Sequence, residues 1–491
     1  MTWQQRVLGN GLPRGPGSHA RSLKRTTRYV RWPQQRVRGG RVSAASKAGR
    51  SPAWLVRSPT ATARRVRAAS LAGRAAGSVL LLILFVQLCL VALVGFGHQG
   101  PQPWPLSRLE LGVADPPNDA ASVESSGRLG LRYQYLSGGV NTGRSWVNWW
   151  HEAGTYVSGY IHESEVHHIV PVFSYYQLRQ SKPGASITDE AAADLTNLRD
   201  AALMRAYFEE LKVFFRRAAS AKGPVVLQVE PDLWGYVEQH AEHNDASTVP
   251  AAVASSGMPD LRGLPNTAAG FAQAVVALRK NYAPRVILGY HVSIWGTRKS
   301  IPGSQMTEGQ VDGIAAQAST FYESLHAGFD TLFSELTDRD AGYAQVHDRK
   351  GTAAWWDTTD FEHDVRFLAD LHSRVRLPIV LWQIPLGNTM MRMMNNTPYH
   401  YQDNKVQFLL GERSRQHLRA YVGAGVVALL FGSGQPSDTC ACDADQDGIT
   451  NPPPIDGNTR LSMSADDDGG YFRAQAAAYY RQGALWLTST S

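Results

Sequence analysis

Beyond residue 108, short apolar runs recur at 111–114, 131–136, 169–175, 225–229, 286–292, 331–334, 379–384 and 426–431. Most lack the strict alternation of a sheet with one wet face. Runs such as Pro224-Val-Val-Leu-Gln-Val229 and Pro378-Ile-Val-Leu-Trp-Gln383 read as strands buried on both sides. Longer segments with helical spacing lie between them, at 146–165, 198–221, 268–282, 309–326, 360–375 and 405–422, and 471–483 follows the last run. Only the first connection is weak, since 119–126 has room for a short helix at best. Eight strands alternating with helices predict an α/β fold, a (β/α)8 TIM barrel. The alternative is an open doubly wound sheet. It would carry a glycine-rich phosphate loop after an early strand, and Ser137-Gly-Gly-Val-Asn-Thr-Gly143 lacks the Lys-Ser/Thr that completes one. The longest insertion, 236–266, follows the fourth strand and is expected to be a lid or a cleft wall.

Upstream the pattern changes. Residues 77–97 are 21 residues without a charge, interrupted by little beyond Ser78 and Gln87. About 20 apolar residues span a bilayer as a helix, so 75–97 is expected to be a transmembrane or signal-anchor segment. Residues 98–107 then form a Pro-rich linker to a barrel domain at 108–491. Gly95-Phe-Gly97 offers the small-x-small pattern of a cleavage site.

Charge sharpens this division. Residues 1–74 hold 17 of the 49 Lys and Arg and no carboxylate, whereas the remainder holds 32 Lys and Arg against 42 Asp and Glu. The net charge of +7 therefore belongs to a disordered basic tail on an acidic domain, and no nucleic-acid partner is expected. Positive flanks stay cytoplasmic. The tail should face inward, with the barrel on the extracytoplasmic side, either membrane-anchored or secreted after cleavage near Gly97.

Candidate chemistry follows from the strand ends, where barrel enzymes build their sites. In chain order these ends carry Tyr135 and Asn141; Tyr175 and Gln177; Glu230, Asp232, Trp234 and Tyr236; His291 and Trp295; Glu335 and Asp338; and Trp382, Gln383 and Asn388. Aromatic rings beside amides and carboxylates suit a polyhydroxylated ligand, a polysaccharide or oligosaccharide. A phosphate ligand would call for Lys and Arg, and only Arg339 sits at a strand end. Glu230, after an apolar strand and close to Trp234, is a candidate general acid whose pKa burial would raise; the alternative is a structural pairing that holds loops. Its partner would be Glu335 first and Asp338 second, with Asp340 and Asp232 also in reach. Trp234, Trp295 and Trp382 are expected to line one cleft as stacking platforms.

Glu230-Pro231 at the fourth strand end resembles the clan of (β/α)8 glycoside hydrolases whose acid/base Glu sits there. The resemblance implies hydrolysis of an O-glycosyl bond with no required cofactor. Two positions depart from the clan's pattern: Val229 stands where it has Asn, and Gln383 where it has a nucleophilic Glu. An amide carries no charge to attack an anomeric carbon, so an inverting route is expected, with carboxyls about 6.5–9.5 Å apart. The runs 133–143, 229–236, 381–388, 401–405 and 439–443 are similar to a group of secreted bacterial proteins without established activity, which implies an exported barrel and adds little on substrate.

Cys440 and Cys442 predict a local disulfide in an oxidising compartment, with a redox role as the alternative, and no second pair completes a zinc site. Asp443, Asp445 and Asp447 open a calcium-loop pattern, although Pro454 occupies its twelfth position. A solvated acidic loop is the alternative there. The chain is thus expected to be an exported glycoside hydrolase-like enzyme, with a catalytically inert glycan-binding or envelope-scaffold barrel as the alternative. A regulatory membrane protein acting through its tail is a third reading.

Overall fold

A computed structural model describes residues 102–125, 128–301, 305–336, 340–342, 344, 355–388, 403–432 and 471–487. The basic tail, the apolar run at 77–97, Asp338, the Met-rich 390–394 run, the Cys440/Cys442 pair and the 443–447 aspartates all lie outside these residues. Among the described residues no helix is long and apolar enough to cross a membrane.

Eight parallel strands close into a barrel in sequence order: β1 Glu110–Ala114, β2 Leu131–Leu136, β3 Val170–Tyr175, β4 Val226–Val229, β5 Ile287–Val292, β6 Thr331–Glu335, β7 Ile379–Pro385 and β8 Val426–Gly432. Each expected apolar run became one of these strands. The helices are α1 Ala120–Ser125, α2 Thr155–Val166, α3 Glu190–Arg199, α4 Ala201–Ala218, α5 Pro231–His240, α6 Ala268–Tyr282, α7 Glu308–Ser324, α8 Thr358–Val375, α9 Lys405–Leu410, α10 Gln416–Gly423 and α11 Tyr471–Arg481.

Alternate strand residues feed two cores. Leu131, Tyr133, Val172, Val226, Ile287, Phe333, Val380 and Leu430 fill the barrel, while Phe173, Leu227, Leu288 and Leu381 face the helices. The interior accepts Phe333 because β5 has Gly289 beside it, where a Cβ would overlap the ring. Outside, α4 lays Tyr207, Phe208, Leu211, Phe214 and Phe215 against the sheet, an i, i+3/i+4 stripe of fully buried side chains. At the opposite end from the mouth, Trp104, Leu106 and Leu487 pack beneath the interior core. There Leu109 N donates to Leu485 O (2.8 Å) and Leu487 N to Ser107 O (3.0 Å), so the two ends of the domain meet.

Three expected helices differ in detail. The first begins only at Thr155, after Gly154 turns the chain at φ 74°. The 198–221 segment breaks at Asp200, which leaves the helical region (ψ 112°) and caps α4 by accepting from Leu203 N. The 405–422 segment is two helices, α9 and α10. The 236–266 insertion is not a lid: Val249, Ala251, Val253, Met258 and Leu261 are buried, and Ala252 N donates to Leu198 O. Its apolar residues hold it against the helical layer.

Phe333→Ala should empty the barrel centre and cost about 3–5 kcal/mol, read by urea unfolding. A loss below about 1 kcal/mol would contradict a packed interior.

Candidate active site

Ser174 on β3, Gln228 on β4, His291 on β5 and Glu335 on β6 carry polar groups at the C-terminal ends of their strands. They form a ladder across four strands. Ser174 Oγ donates to Gln228 Oε1 at 2.6 Å, and Gln228 Nε2 lies 2.8 Å from His291 Nδ1. His291 Nε2 lies 4.0 Å from Glu335 Oε2, and Glu335 Oε1 accepts from Trp295 Nε1 at 3.0 Å. The amide donates to Nδ1, which leaves the ring proton on Nε2. Burial holds the imidazole down to about 3, so it is neutral at ordinary pH.

Aromatic rings surround this ladder. Trp382 sits edge-on to His291 (5.4 Å, 79°) and 5.8 Å from Tyr135. Glu335 is the register neighbour of Trp382. Gln383, in the left-handed region at φ 56° where the β7–β8 register shifts, donates from Nε2 to Tyr135 Oη at 3.0 Å. Trp295 forms the rim. Its ring lies 4.8 Å from Tyr236 and against Gly235, whose missing Cβ leaves room for it.

Glu230 sits elsewhere. It follows β4 in a left-handed conformation (φ 44°, ψ 68°), and Pro231 starts α5 at once. Its carboxyl turns sideways under the loop after β3. Oε1 accepts from Gln177 N (2.9 Å) and Leu178 N (3.2 Å), beside the Tyr207 hydroxyl of the outer layer. The residue is 1% exposed. Burial pushes its pKa up to about 8, against the pull of the two loop amides. Asp194 on α3 is raised by burial, then by the charges of Glu230 and Asp232. Asp232 is half-buried in the first turn of α5 and joins this carboxyl group rather than the ladder.

Several expected ligand residues are occupied with structure. Trp234 is 1% exposed between sheet and helices, packed on Phe271, Tyr290 and Phe329, so it lines no cleft. The expected three-ring platform therefore reduces to Trp295 and Trp382. Tyr175 also faces outward, against Trp146 and Tyr207. Gln177 Oε1 accepts from Gly139 N (2.7 Å), and the exposed Asn141 amide bonds both backbone groups of Lys182, so these two zip the β2 loop to the β3 loop. Tyr236 donates to Glu190 Oε2 (2.9 Å), and Asn388 is buried beyond β7. Tyr135, His291, Trp295, Glu335, Trp382 and Gln383 are brought together. Ser174 and Gln228 went unrecognised as site residues. Their signal was a polar residue at an inward position of an otherwise apolar strand. Among the described residues, no three His, Cys, Asp or Glu side chains group to hold a metal ion.

No family model and no curated protein matches the chain. Solved structures do resemble it. Xylanase B from Clostridium stercorarium F9 is 10% identical, with 66% of this chain and 86% of that one covered at a TM-score of 0.38. A modular endo-β-1,4-mannanase from Cellulomonas fimi is 11% identical, covering 78% and 73% at 0.41. The catalytic domain of an endo-β-1,4-mannanase from Bacillus sp. JAMB-750 is 10% identical, covering 78% and 88% at 0.40. These glycoside hydrolase barrels are similar to the chain in barrel shape alone; they establish neither a family nor a secreted group.

Glu230 keeps in the folded protein a proton that it loses on unfolding. Its contribution to stability is therefore full below about pH 4.5 and is lost as pH rises to about 8. Glu210, Glu238 and Asp364, each raised to about 7 by burial, act in the same direction. Glu230→Gln should make the fall in unfolding free energy between about pH 5 and pH 8 shallower, by up to about 1.4 kcal/mol per pH unit. An unchanged slope in urea melts would show that Glu230 holds no such proton.

Proposed function

We propose that the protein binds a polysaccharide or oligosaccharide at the barrel mouth and hydrolyses it, with Glu335 as the carboxyl group at the reacting bond. The observation that carries this reading is the placement of Glu335. It ends β6 among Trp295, His291 and Trp382, with its side chain 14% exposed, next to the Tyr135–Gln383 pair. Rings for sugar C–H faces and amide, imidazole and carboxylate groups for hydroxyls occupy one place. In this reading the second carboxyl of the hydrolytic pair comes from the same strand-six segment, with Asp338 as the candidate. Glu230, enclosed by loop amides, is a brace for the β3 and β4 ends rather than the general acid.

A second reading, glycan binding without turnover, is favoured by one observation. Gln383, on the strand where a retaining clan enzyme carries its nucleophile, is an amide bonded to Tyr135.

Glu335→Gln should lower kcat by about 10³-fold or more on the best of a panel of xylan, mannan, galactan, β-glucan and peptidoglycan, with binding retained. Glu230→Gln keeps an acceptor for the two loop amides and should leave turnover within about tenfold of wild type. The reverse pattern would return catalysis to Glu230. Binding without turnover in the wild type would select the second reading, and neither binding nor turnover would remove both.

We also propose that the barrel lies on the extracytoplasmic side of a membrane, on the strength of the apolar run at 77–97 and the one-sided charge before it. A phosphatase reporter fused after Ser491 should be active only when exported; activity of a cytoplasm-restricted reporter at that position would overturn the orientation.

A further inference from the structure

The mouth holds buried donors without partners: His291 Nε2, Trp382 Nε1 and Ser293 Oγ, the last two residues along from His291. A buried donor left unpaired costs about 1–3 kcal/mol, and native interiors leave few of them. One of them, His291 Nε2, lies beside the one ladder carboxylate. Glu335 is the register neighbour of Trp382, and its Oε2 is 4.0 Å from His291 Nε2.

That separation is too long for a hydrogen bond, yet an oxygen about 2.8 Å from each atom fits between them. The two sides of the gap are of opposite kind. The ladder fixes Nε2 as a donor, because Gln228 donates to Nδ1 and is itself held through Oε1 by Ser174. In its ionised form the Glu335 carboxylate only accepts. A hydroxyl accepts and donates through one oxygen, whereas a carbonyl or ionised phosphate oxygen cannot donate and an ammonium cannot accept.

We propose that His291 Nε2–H and Glu335 Oε2 together read one hydroxyl of the bound sugar, the imidazole donating to its oxygen and the carboxylate accepting its hydrogen. The inference rests on the glycan reading of the mouth and makes the ligand a sugar with that hydroxyl free. Deoxygenation or O-methylation at that carbon excludes it. Ser174 and Gln228 touch no ligand here; they position His291 by choosing its tautomer.

The test begins with calorimetric titration of the wild-type protein with xylotriose, mannotriose, cellotriose, galactotriose and chitotriose. The triose that binds is followed by its mono-deoxy analogues. One analogue should bind on the order of 10²-fold more weakly than its parent, the others within a few-fold, because only one leaves buried partners bare. In His291→Phe the parent should bind more weakly, and deleting the hydroxyl should then cost less than in the wild type, because only Glu335 Oε2 still pairs with it. Gln228→Glu keeps the ring but presents an acceptor to Nδ1, and should give the same loss. Nitrogen-15 NMR of the free protein should show the Nε2–H tautomer in the wild type and its loss in Gln228→Glu; an Nδ1–H tautomer in the wild type overturns the proposal without any ligand. Equal binding of parent and all deoxy analogues overturns it while the glycan reading stands. Failure of every triose to bind removes the glycan reading and this inference with it.

Discussion

Every strand of the closed barrel is buried on both faces, so a polar side chain turned inward finds only other inward side chains to bond. This constraint organises the mouth. Ser174 and Gln228 sit on strands that are otherwise apolar, and each is satisfied by the next strand round. The series passes from β3 to β4 to β5 and stops at His291, whose Nε2 has no partner within hydrogen-bond distance. A network that is satisfied up to its last donor is a fixed frame presenting one open group. That open group stands next to Glu335, the ladder's one carboxylate.

The same constraint explains why Glu230 is not part of this frame. The β4–α5 turn is so short that Glu230 takes a left-handed conformation with Pro231 already helical. A non-glycine residue in that conformation costs about 1 kcal/mol or more. The two loop amides that its carboxyl accepts offset that cost. Bracing then runs on through Gln177 to Gly139, which ties the ends of β4, β3 and β2 together. The carboxyls of Glu230, Asp194 and Asp232 share this enclosed corner, and burial with mutual repulsion raises the first two. A raised carboxyl does not by itself assign catalysis, since the same physics follows from an enclosed structural acid.

β7 shows how one irregular residue shapes the other side of the mouth. Gln383 is left-handed within a register shift, and its side chain reaches across the barrel to Tyr135 on β2. Trp382 stays inward and fills the floor among Tyr133, Tyr135 and His291. The rim ring, Trp295, stands on α5 through Gly235 and reaches back to Glu335.

What the chain determined locally was legible in the sequence. Eight apolar runs separated by helical periods define eight strands, because burial on both faces demands continuous apolar residues whatever the surroundings. The gathering of chemistry at strand ends comes from the same local rules, whereas the Asp200 cap did not show in the helical period of 198–221. The direction of each strand-end side chain was not legible. Glu230, Trp234 and Tyr175 read as cleft residues, yet a left-handed turn and the in-out alternation of neighbouring strands turned them toward loops and helices. Ser174 and Gln228 carried no assignment from the sequence, yet barrel closure made them the frame of the mouth. Alternation along one strand says that two residues face opposite ways; only the closed sheet decides which way is in.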